Sequence, residues 1–298
     1  MIQKGNFLLL ELSEFRPWLQ KQKVTRRVKG LQVHHTGAPN YTTRKMVNGV
    51  AQQDHFVCLE GMRDYHINKN KWKATGQHLT LFEDGKVGVS LDRDLNTTPA
   101  CIYNNNAGYV GIEIMGCFDK GVDTMTTVQK EAVVHIYAAL CEKFYVPVNT
   151  DKIVYHAWFS ASGTRLGDYF PGKSSKSCPG TSYFGDGNTI ASANKNFLPL
   201  VKAELKRLRS GDTNTISKDD KPMTEAEKLQ MSNLEKTVKQ QADWIQAEKA
   251  KANMECPAWA KEAYAYYKDY IKDDKGSYDF WRMLVIEYRK ANNITVSK

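Results

Sequence analysis

Residues 109–115 read Tyr109-Val110-Gly111-Ile112-Glu113-Ile114-Met115, an apolar run with a single charged side chain, Glu113. A nearly continuous apolar stretch of this length predicts a strand that is covered on both faces, and therefore a strand inside a sheet. A carboxylate in such a strand tends to have a raised pKa, unless it forms a salt bridge with a neighbouring Arg or Lys. The stretch thus predicts both the centre of the fold and a residue of chemical interest.

Further elements are predicted on both sides of this strand from side-chain periodicity and turn residues. Asp84-Gly85 between two apolar runs is a strong hairpin signal. The predicted elements are, in chain order, a helix at 11–22, strands at Leu31–Thr36, His78–Phe82 and Val87–Leu91, a helix from Thr126 or Thr127 to Phe144, a strand at Ile153–Tyr155 and a helix at Asn196–Arg209.

A polar segment divides the chain into two parts. Ser210–Pro222 is rich in Ser, Thr and Asp, a composition typical of a linker. We therefore predict a first domain over 1–209, a linker over 210–222 and a small all-α domain over 223–298. The segment Ser160–Asn188 is also loop-like, and a loop of this length inside a compact domain is usually functional or disordered.

The part that follows the linker predicts three helices. Thr224 and Glu227 form a capping box, and a long helix should run from there to about Met254. Pro257 suits the first turn of a second helix, and a turn at Lys275-Gly276 precedes the third. The long helix either packs on its own neighbours or forms a short coiled-coil dimer. Its apolar stripe consists of Met231, Leu234, Val238 and Ile245.

The composition of the chain fits a folded protein, with 298 residues of which 41% are apolar and 25% charged. No apolar run approaches the roughly 20 residues that cross a bilayer. The chain start is a poor secretory signal, because Glu11 and Glu14 directly follow the short apolar stretch Phe7–Leu10. Three cysteines in apolar settings are expected to be small buried residues: Cys101, Cys117 and Cys141.

The charge and the cysteine pattern limit the setting in which the protein works. Six cysteines without paired spacing suggest synthesis in a reducing cytosol. The net charge of +9 has two interpretations, a generally basic surface or an anionic polymer as partner. Nucleic acid is one such polymer, and bacterial cell wall with its phosphates and carboxylates is another.

Three short motifs carry candidate metal ligands. Val33-His34-His35-Thr36 closes an early strand, Val154-Tyr155-His156 closes a later one, and Lys176-Ser177-Cys178-Pro179-Gly180 follows in a loop. Two imidazoles and a thiolate can fill three corners of a zinc tetrahedron and leave the fourth open, as catalytic sites do. Because side chains alternate on a strand, only one of His34 and His35 faces a given site.

The order of motifs along the chain resembles an enzyme family. The motifs are, in order, His34-His35-Thr36, Gly76-Gln77-His78-Leu79 before Glu83-Asp84-Gly85, Val110–Gly116, Thr127 with Gln129, the strand that ends in His156, and Lys176–Gly180. Together they resemble the type-2 N-acetylmuramoyl-L-alanine amidases, zinc enzymes that share a fold with peptidoglycan recognition proteins. Ser177–Gly185 is especially similar to the lytic enzymes of phages that infect Gram-positive bacteria.

This resemblance implies a fold, a reaction and a metal site. The fold would be α/β, with a mixed central β-sheet flanked by helices, and the reaction would be hydrolysis of the amide between N-acetylmuramic acid and L-alanine in peptidoglycan. Carried over by position, the ligands of one zinc ion would be His34, His156 and Cys178. The family uses the first His of the pair, so His35 would lie on the other face of its strand.

The resemblance also implies two catalytic side chains and one departure from the family. Glu113 matches the residue that transfers protons between water and the leaving nitrogen. Lys176 matches the cation that stabilises the tetrahedral oxyanion. Many relatives carry Tyr before the His of the strand at 78–82, and this chain has Gln77 there. Gln cannot act as a general acid, so that role is expected to be absent or taken by Glu113.

Further residues are expected to bind substrate. The segment from Trp158 to Ser175 lengthens the chain between the second and third ligands and is expected to form a flap over the groove. Trp158, Tyr169 and Phe170 would stack on sugar faces or, alternatively, form a hydrophobic plug that fixes the loop. Asn105 and Asn106 precede the Glu113 strand and are expected to line the groove, as is Gln77.

The C-terminal part is expected to bind the cell wall. Cys256–Ala263 and Gly276–Leu284 resemble a degenerate S-layer homology repeat, whose aromatic and basic residues hold anionic wall polymers. The alternative is a small helical bundle that forms a dimer. No nucleic-acid motif accompanies the positive charge.

The leading interpretation is therefore a phage-type endolysin that lyses a Gram-positive host. It would bind peptidoglycan, be made in the host cytoplasm without a signal peptide, and reach the wall after the membrane is permeabilised, without inserting into it. The alternatives are a bacterial autolysin or turnover amidase and a non-catalytic peptidoglycan-binding protein of the same fold.

Overall fold

The computed structural model describes residues 1–47, 49–210, 225–272 and 274–295, without side chains for 225–235 and 238. The chain divides into two compact units, Met1–Ile216 and Ser217–Lys298. Apart from Ser210, the predicted linker lies outside the described residues. No helix among the described residues has the length and apolarity needed to cross a membrane.

The first unit is built on a seven-stranded sheet. Its strands are β1 (Ile2–Lys4), β2 (Phe7–Leu10), β3 (Gly30–His35), β6 (Leu79–Leu81), β7 (Val87–Ser90), β8 (Tyr109–Ile114) and β9 (Ile153–Tyr155), and a separate hairpin joins β4 (Met46–Val47) to β5 (Val50–Ala51). The strand order is β1-β2-β7-β6-β8-β3-β9. The first four strands pair antiparallel and the last four parallel, so the sheet is mixed. The predicted interior position of β8 is confirmed.

Helices cover both faces of this sheet. They are α1 (Leu12–Lys21), α2 (His55–Asn68), α3 (Thr127–Phe144), the short α4 (Ile190–Ser192) and α5 (Leu198–Arg209). Alternation along β2 separates two apolar clusters, because Leu8 and Leu10 pack with α1 and α3 while Phe7 and Leu9 pack with α2. The predicted α/β fold with a mixed central sheet flanked by helices is therefore confirmed.

Most of the predicted elements of the first unit are confirmed within one or two residues. The N-terminal strands β1 and β2 and the helix α2 were not predicted. Helix α2 begins after Asp54, whose side chain accepts hydrogen bonds from Phe56 N and Val57 N. Its sequence does not show one clean apolar stripe, because apolar residues also lie on the exposed face of the helix, namely Val57 and Tyr65.

The second unit is small and helical. It contains α6 (Glu225–Ala252), α7 (Lys261–Tyr267), α8 (Tyr278–Ala291) and a two-stranded ribbon of β10 (Met254–Glu255) and β11 (Lys275–Gly276). Trp281, Ala260 and Ala263 are buried, the Trp281 and Tyr264 rings meet edge to face at 5.7 Å, and the Trp281 indole N–H donates to the Met254 carbonyl at 3.3 Å. Ile245 is exposed, whereas Met231, Leu234 and Val238 lie outside the described side chains.

Candidate functional site

The carboxyl ends of the parallel strands bring the predicted site residues to one edge of the sheet. Strands β3, β8 and β9 run in the same direction, so their last residues meet at this edge. His34 is the register neighbour of Glu113, and Thr80 lies opposite Glu113 on the other side. His156 follows directly after β9. The site residues on these strands are thus neighbours because of the sheet register.

Three buried side chains converge here: His34, His156 and Cys178. The Nδ1 atoms of the two histidines are 3.2 Å apart, and Cys178 Sγ is 3.6 Å from His34 Nδ1. His35 belongs to a different cluster, with Cys117 and Asp119, although it also contributes to the cavity lining. The prediction from alternation, that only one histidine of the pair faces this group, is confirmed.

The distances within this group fit a tetrahedral metal ion. Zinc bonds of about 2.0–2.1 Å to nitrogen and about 2.3 Å to sulfur place two nitrogens about 3.3 Å apart, and a nitrogen and a sulfur about 3.6 Å apart. The observed separations of 3.2 Å and 3.6 Å lie close to both values. Two imidazoles with a thiol are also a donor set that zinc prefers. The group could therefore hold a metal ion.

Burial prepares the two imidazoles to act as ligands. Desolvation lowers the pKa of His34 well below its ordinary value, and the nearby His156 adds to the effect. Desolvation, helped by Lys176, lowers the pKa of His156 to about 4. Both rings are therefore neutral at pH 7, which is the state that binds a cation. Burial raises the pKa of the Cys178 thiol, so metal binding there must displace a proton.

Glu113 and Lys176 lie beside this group. One oxygen of Glu113, Oε2, is buried and has no hydrogen-bond partner among the described residues. Burial raises the pKa of Glu113 to about 8, and the Lys176 ammonium opposes that rise. Lys176 is exposed at the rim of the cavity, two residues before Cys178. The site thus combines a carboxyl group that titrates near neutrality with one cation.

A cavity of about 600 Å³ opens over these residues. Its lining includes all five residues just described and extends along α2, a size and location typical of ligand pockets. The α2 side carries aromatic residues: the rings of His66 and Trp72 stack with centroids 4.9 Å apart, and Tyr65 is exposed beside them. A flat aromatic surface of this kind can pack against an apolar sugar or peptide face.

The sequence alone did not indicate this α2 side of the cavity. His66 Nδ1 accepts a hydrogen bond from Gly76 N at 3.1 Å. Its ring lines the cavity together with Trp72. Cys101 and Cys117 are half-buried, which corrects the expectation that they are core residues, and Cys101 also lines the cavity. Only Cys141 is buried as expected.

Gln77 lines the cavity as expected. Its Nε2 donates to Thr80 Oγ1 at 3.0 Å, and its buried Oε1 has no partner within the ranges that the structure describes. Since Thr80 is the register neighbour of Glu113, Gln77 and Glu113 belong to one polar row across the sheet edge. Gln77 is therefore placed to accept a hydrogen bond from a bound molecule.

Five other residues expected to bind substrate, Phe170 among them, lie outside the cavity lining. Trp158 is fully buried and its indole N–H donates to the Asn188 carbonyl, so the plug interpretation describes it and the sugar-stacking interpretation is corrected. Tyr169 packs against the core. Asn105 donates to the carbonyl of Gly163, and Asn106 accepts from Cys101 N and Ile102 N. These amides are used to shape turns.

Comparison with known families identifies the chain. A sequence model of the N-acetylmuramoyl-L-alanine amidase family matches residues 24–181, more than half of the chain and the whole of the His, Glu, Lys and Cys site. The chain belongs to the N-acetylmuramoyl-L-alanine amidase family. A search of curated protein sequences finds no match.

Several solved structures are similar to the chain at low sequence identity. Drosophila PGRP-LB is 18% identical, with 58% of this chain and 84% of that chain covered and a TM-score of 0.41. The N-acetylmuramoyl-L-alanine amidase LysC from Clostridium intestinale URNW is 18% identical, with 61% and 87% covered and a TM-score of 0.37. Drosophila PGRP-SA is 17% identical, with 59% and 83% covered and a TM-score of 0.39. The family assignment rests on the sequence match.

Proposed function

We propose that the protein hydrolyses the amide bond between N-acetylmuramic acid and L-alanine in peptidoglycan, with one zinc ion held by His34, His156 and Cys178. The observation that carries this proposal is the pair of donor separations, 3.2 Å and 3.6 Å, at the floor of an open cavity. A three-ligand group that faces a cavity leaves room for water or substrate, which is the arrangement of catalytic zinc sites.

The chain supplies a proton carrier next to this group. When bound, zinc polarises the amide carbonyl and lowers the pKa of a water molecule that it holds. Glu113 takes the proton from the attacking water and returns it to the departing nitrogen. Burial raises the pKa of Glu113 toward neutrality, which suits a group that both takes and returns a proton. The register of β3 and β8 fixes Glu113 beside His34.

Two other cavity residues complete the chemistry. Lys176 stabilises the negative charge that develops on the carbonyl oxygen. Gln77 cannot act as a general acid. Its buried Oε1 instead orients the substrate by accepting a hydrogen bond from an amide N–H of the substrate. The acid step therefore falls to Glu113 alone.

The proposal is tested by metal content and by the products of the reaction. Purified protein should contain about one zinc per chain, and removal of zinc with a chelator should abolish hydrolysis of peptidoglycan. New L-alanine amino termini should appear, without new reducing sugar ends. Reducing ends in place of amino termini would show glycosidic cleavage, and the proposed reaction would be wrong.

The biological role that we propose is lysis of a Gram-positive host by a phage-type endolysin made in the host cytoplasm. The family assignment and the exposed aromatic surface of the second unit support this role. A bacterial turnover amidase is the main alternative, and a non-catalytic binding protein is the other. The presence of Cys178, Glu113 and Lys176 in one cavity favours an enzyme over a binding protein.

The second unit carries an exposed corner suited to a wall polymer. The rings of Trp259 and Tyr278 meet edge to face at 5.7 Å, and the Arg282 guanidinium lies 5.8 Å from the Tyr278 ring. All three are exposed, and aromatic faces beside a cation fit a polymer of sugars with phosphates or carboxylates. The variant Trp259→Ala should weaken binding to isolated cell walls and leave hydrolysis of small muropeptides unchanged. Unchanged wall binding would remove this corner from the proposal.

A further inference from the structure

A second cluster of metal-type side chains lies on the opposite side of β3. His35, Cys117 and Asp119 each offer a donor atom, and these atoms lie within 4.8 Å of one another. All three residues are half-buried. By residue type and spacing alone, this cluster would count as a second metal site.

Two residues of this second cluster, His35 and Asp119, already use ligand-type atoms in hydrogen bonds. His35 Nδ1 accepts from Phe118 N at 3.1 Å, which places the proton of the neutral ring on Nε2. Asp119 Oδ1 accepts from Thr181 N at 2.9 Å, and Asp119 Oδ2 accepts from Ser177 Oγ at 2.8 Å. A metal ion bound through His35 Nδ1 would have to displace the bond from Phe118 N. The bonds of Asp119 point to a second role for this residue, which is to hold the neighbouring chain segment.

The two bonds of Asp119 bracket Cys178. Ser177 immediately precedes Cys178, and Thr181 follows three residues later, so one carboxylate fixes the loop on both sides of the sulfur. Thr181 Oγ1 also accepts from Lys120 N at 2.9 Å. Residues 119–120 are thus hydrogen-bonded directly to the loop 177–181, which carries Cys178.

The same two segments touch through their backbones. Ser182 N donates to the Phe118 carbonyl at 2.8 Å, and a Cβ on Gly180 would collide with that carbonyl oxygen. Gly180 also has a φ of +121°, which other residues rarely adopt. On the side of β3, His35 N donates to Cys178 Sγ at 3.2 Å, a bond that favours the thiolate. The sulfur is therefore held from two directions.

We propose that Asp119 is a positioning residue that holds the Cys178 loop in the geometry required for zinc. This inference rests on the proposed zinc site. Asp119 acts through Ser177 and Thr181 and touches neither metal nor substrate. Outer-shell partners of zinc ligands typically contribute about 10–100-fold to metal affinity. Asp119 should contribute within that range, because without its two bonds the loop can move the sulfur away from the two histidines.

The test measures zinc affinity directly, by competition with a chromophoric chelator. Asp119→Ala removes both bonds and should bind zinc about 10–100-fold more weakly than the wild type. Asp119→Asn keeps an oxygen that can accept from Thr181 N and should fall between the two. Asp94→Ala is the matched control, because Asp94 Oδ1 also accepts from two backbone N–H groups, those of Asn96 and Thr97, in a turn outside the cavity lining. The control should bind zinc like the wild type.

Cobalt substitution provides a second measurement that a general loss of stability would not change. The thiolate-to-cobalt charge-transfer band reports the bond to Cys178, and it should weaken or shift in Asp119→Ala and recover partly in Asp119→Asn. Should Asp119→Ala remain folded with wild-type affinity and an unchanged band, the inference would be wrong.

Two other outcomes separate this inference from its alternatives. Binding of two zinc ions per wild-type chain, with the second lost in Asp119→Ala, would assign the second cluster as a metal site and overturn the positioning role. A folded wild type that binds no zinc would overturn the proposed function itself. One zinc per wild-type chain and a weakened Asp119→Ala variant would support both.

Discussion

Two clusters with similar residues lie on opposite sides of β3 and differ in how their lone pairs are used. In the first, His34 Nδ1 faces both His156 Nδ1 and Cys178 Sγ, and neither nitrogen has a backbone partner in the part of the chain that the structure describes. In the second, His35 and Asp119 accept hydrogen bonds from backbone and hydroxyl groups. Both clusters contain residue types that bind metals, so residue type alone does not distinguish them. The clusters differ in what the histidine Nδ1 atoms face, which is other ligand-type atoms in the first cluster and a backbone N–H in the second.

Replacement of one cysteine in each cluster should give the largest contrast. Cys178→Ser removes the thiolate ligand of zinc. Zinc affinity should fall by more than about 100-fold, which is the upper end of the loss expected for a residue that only supports a ligand. Hydrolysis should be lost with the metal. Cys117→Ser should keep one zinc per chain and wild-type turnover, because Cys117 lies in the second cluster.

Metal analysis after dialysis and a chelator competition series check both variants under the same conditions. Equal zinc loss in Cys178→Ser and Cys117→Ser would show that both clusters bind metal. The proposed difference between the two clusters would then be wrong.

Glu113 tests whether the first cluster acts with the carboxylate on its own side of the sheet. Glu113→Gln preserves shape but can no longer take a proton, so kcat should fall by about 10²–10⁴-fold. Zinc content should stay at the wild-type level, because Glu113 is not part of the ligand group. Muropeptide kinetics with metal analysis on the same preparation measure both quantities. Wild-type turnover would remove Glu113 from the mechanism.

Variants of His35 test whether the second cluster supports the zinc site, and the expected loss of zinc affinity is smaller. His35→Ala removes the acceptor of Phe118 N and should weaken zinc binding by about 10-fold, the lower end of the outer-shell range. His35→Asn carries an oxygen near the former Nδ1 position and should restore much of the affinity. Chelator competition distinguishes the two variants. Failure of Asn to improve on Ala would mean that the hydrogen bond to Phe118 is unimportant.

The sequence predicted those features that depend on local patterns. The apolar run of β8 indicated its interior position, and alternation correctly separated His34 from His35. Helix α2 was missed because Val57 and Tyr65 place apolar residues on its exposed face, so that no single apolar stripe stands out. The side of the cavity that this helix forms was missed for the same reason. The role of Asp119 could not be predicted, since its contact with Ser177 spans 58 residues and has no sequence period. Long-range hydrogen bonds of this kind exist only in the fold.

A third cluster, His135 with Glu204 and Arg207, lies outside the cavity lining and offers the smallest and most specific test of the comparison. His135 Nδ1 lies 2.6 Å from Glu204 Oε1, and Arg207 donates to both oxygens of the same carboxylate. Burial would raise the pKa of Glu204, but the hydrogen bonds from Arg207 and His135 outweigh it and lower the pKa to about 2. With its donor atoms used in this way, the cluster should affect stability and leave zinc binding unchanged.

The sign of the pH dependence follows from this lowered pKa. A carboxylate with a folded pKa of about 2 and an ordinary value of 4.5 stabilises the fold above about pH 4.5, and this contribution is lost as the pH falls toward 2. Glu204→Gln should therefore reduce the free energy of unfolding at pH 7 by about 1–3 kcal/mol. The difference from the wild type should shrink between pH 4.5 and pH 2. Urea unfolding across that range measures it, and a difference that stayed constant with pH would show that packing, rather than the charged hydrogen bonds, gives Glu204 its effect.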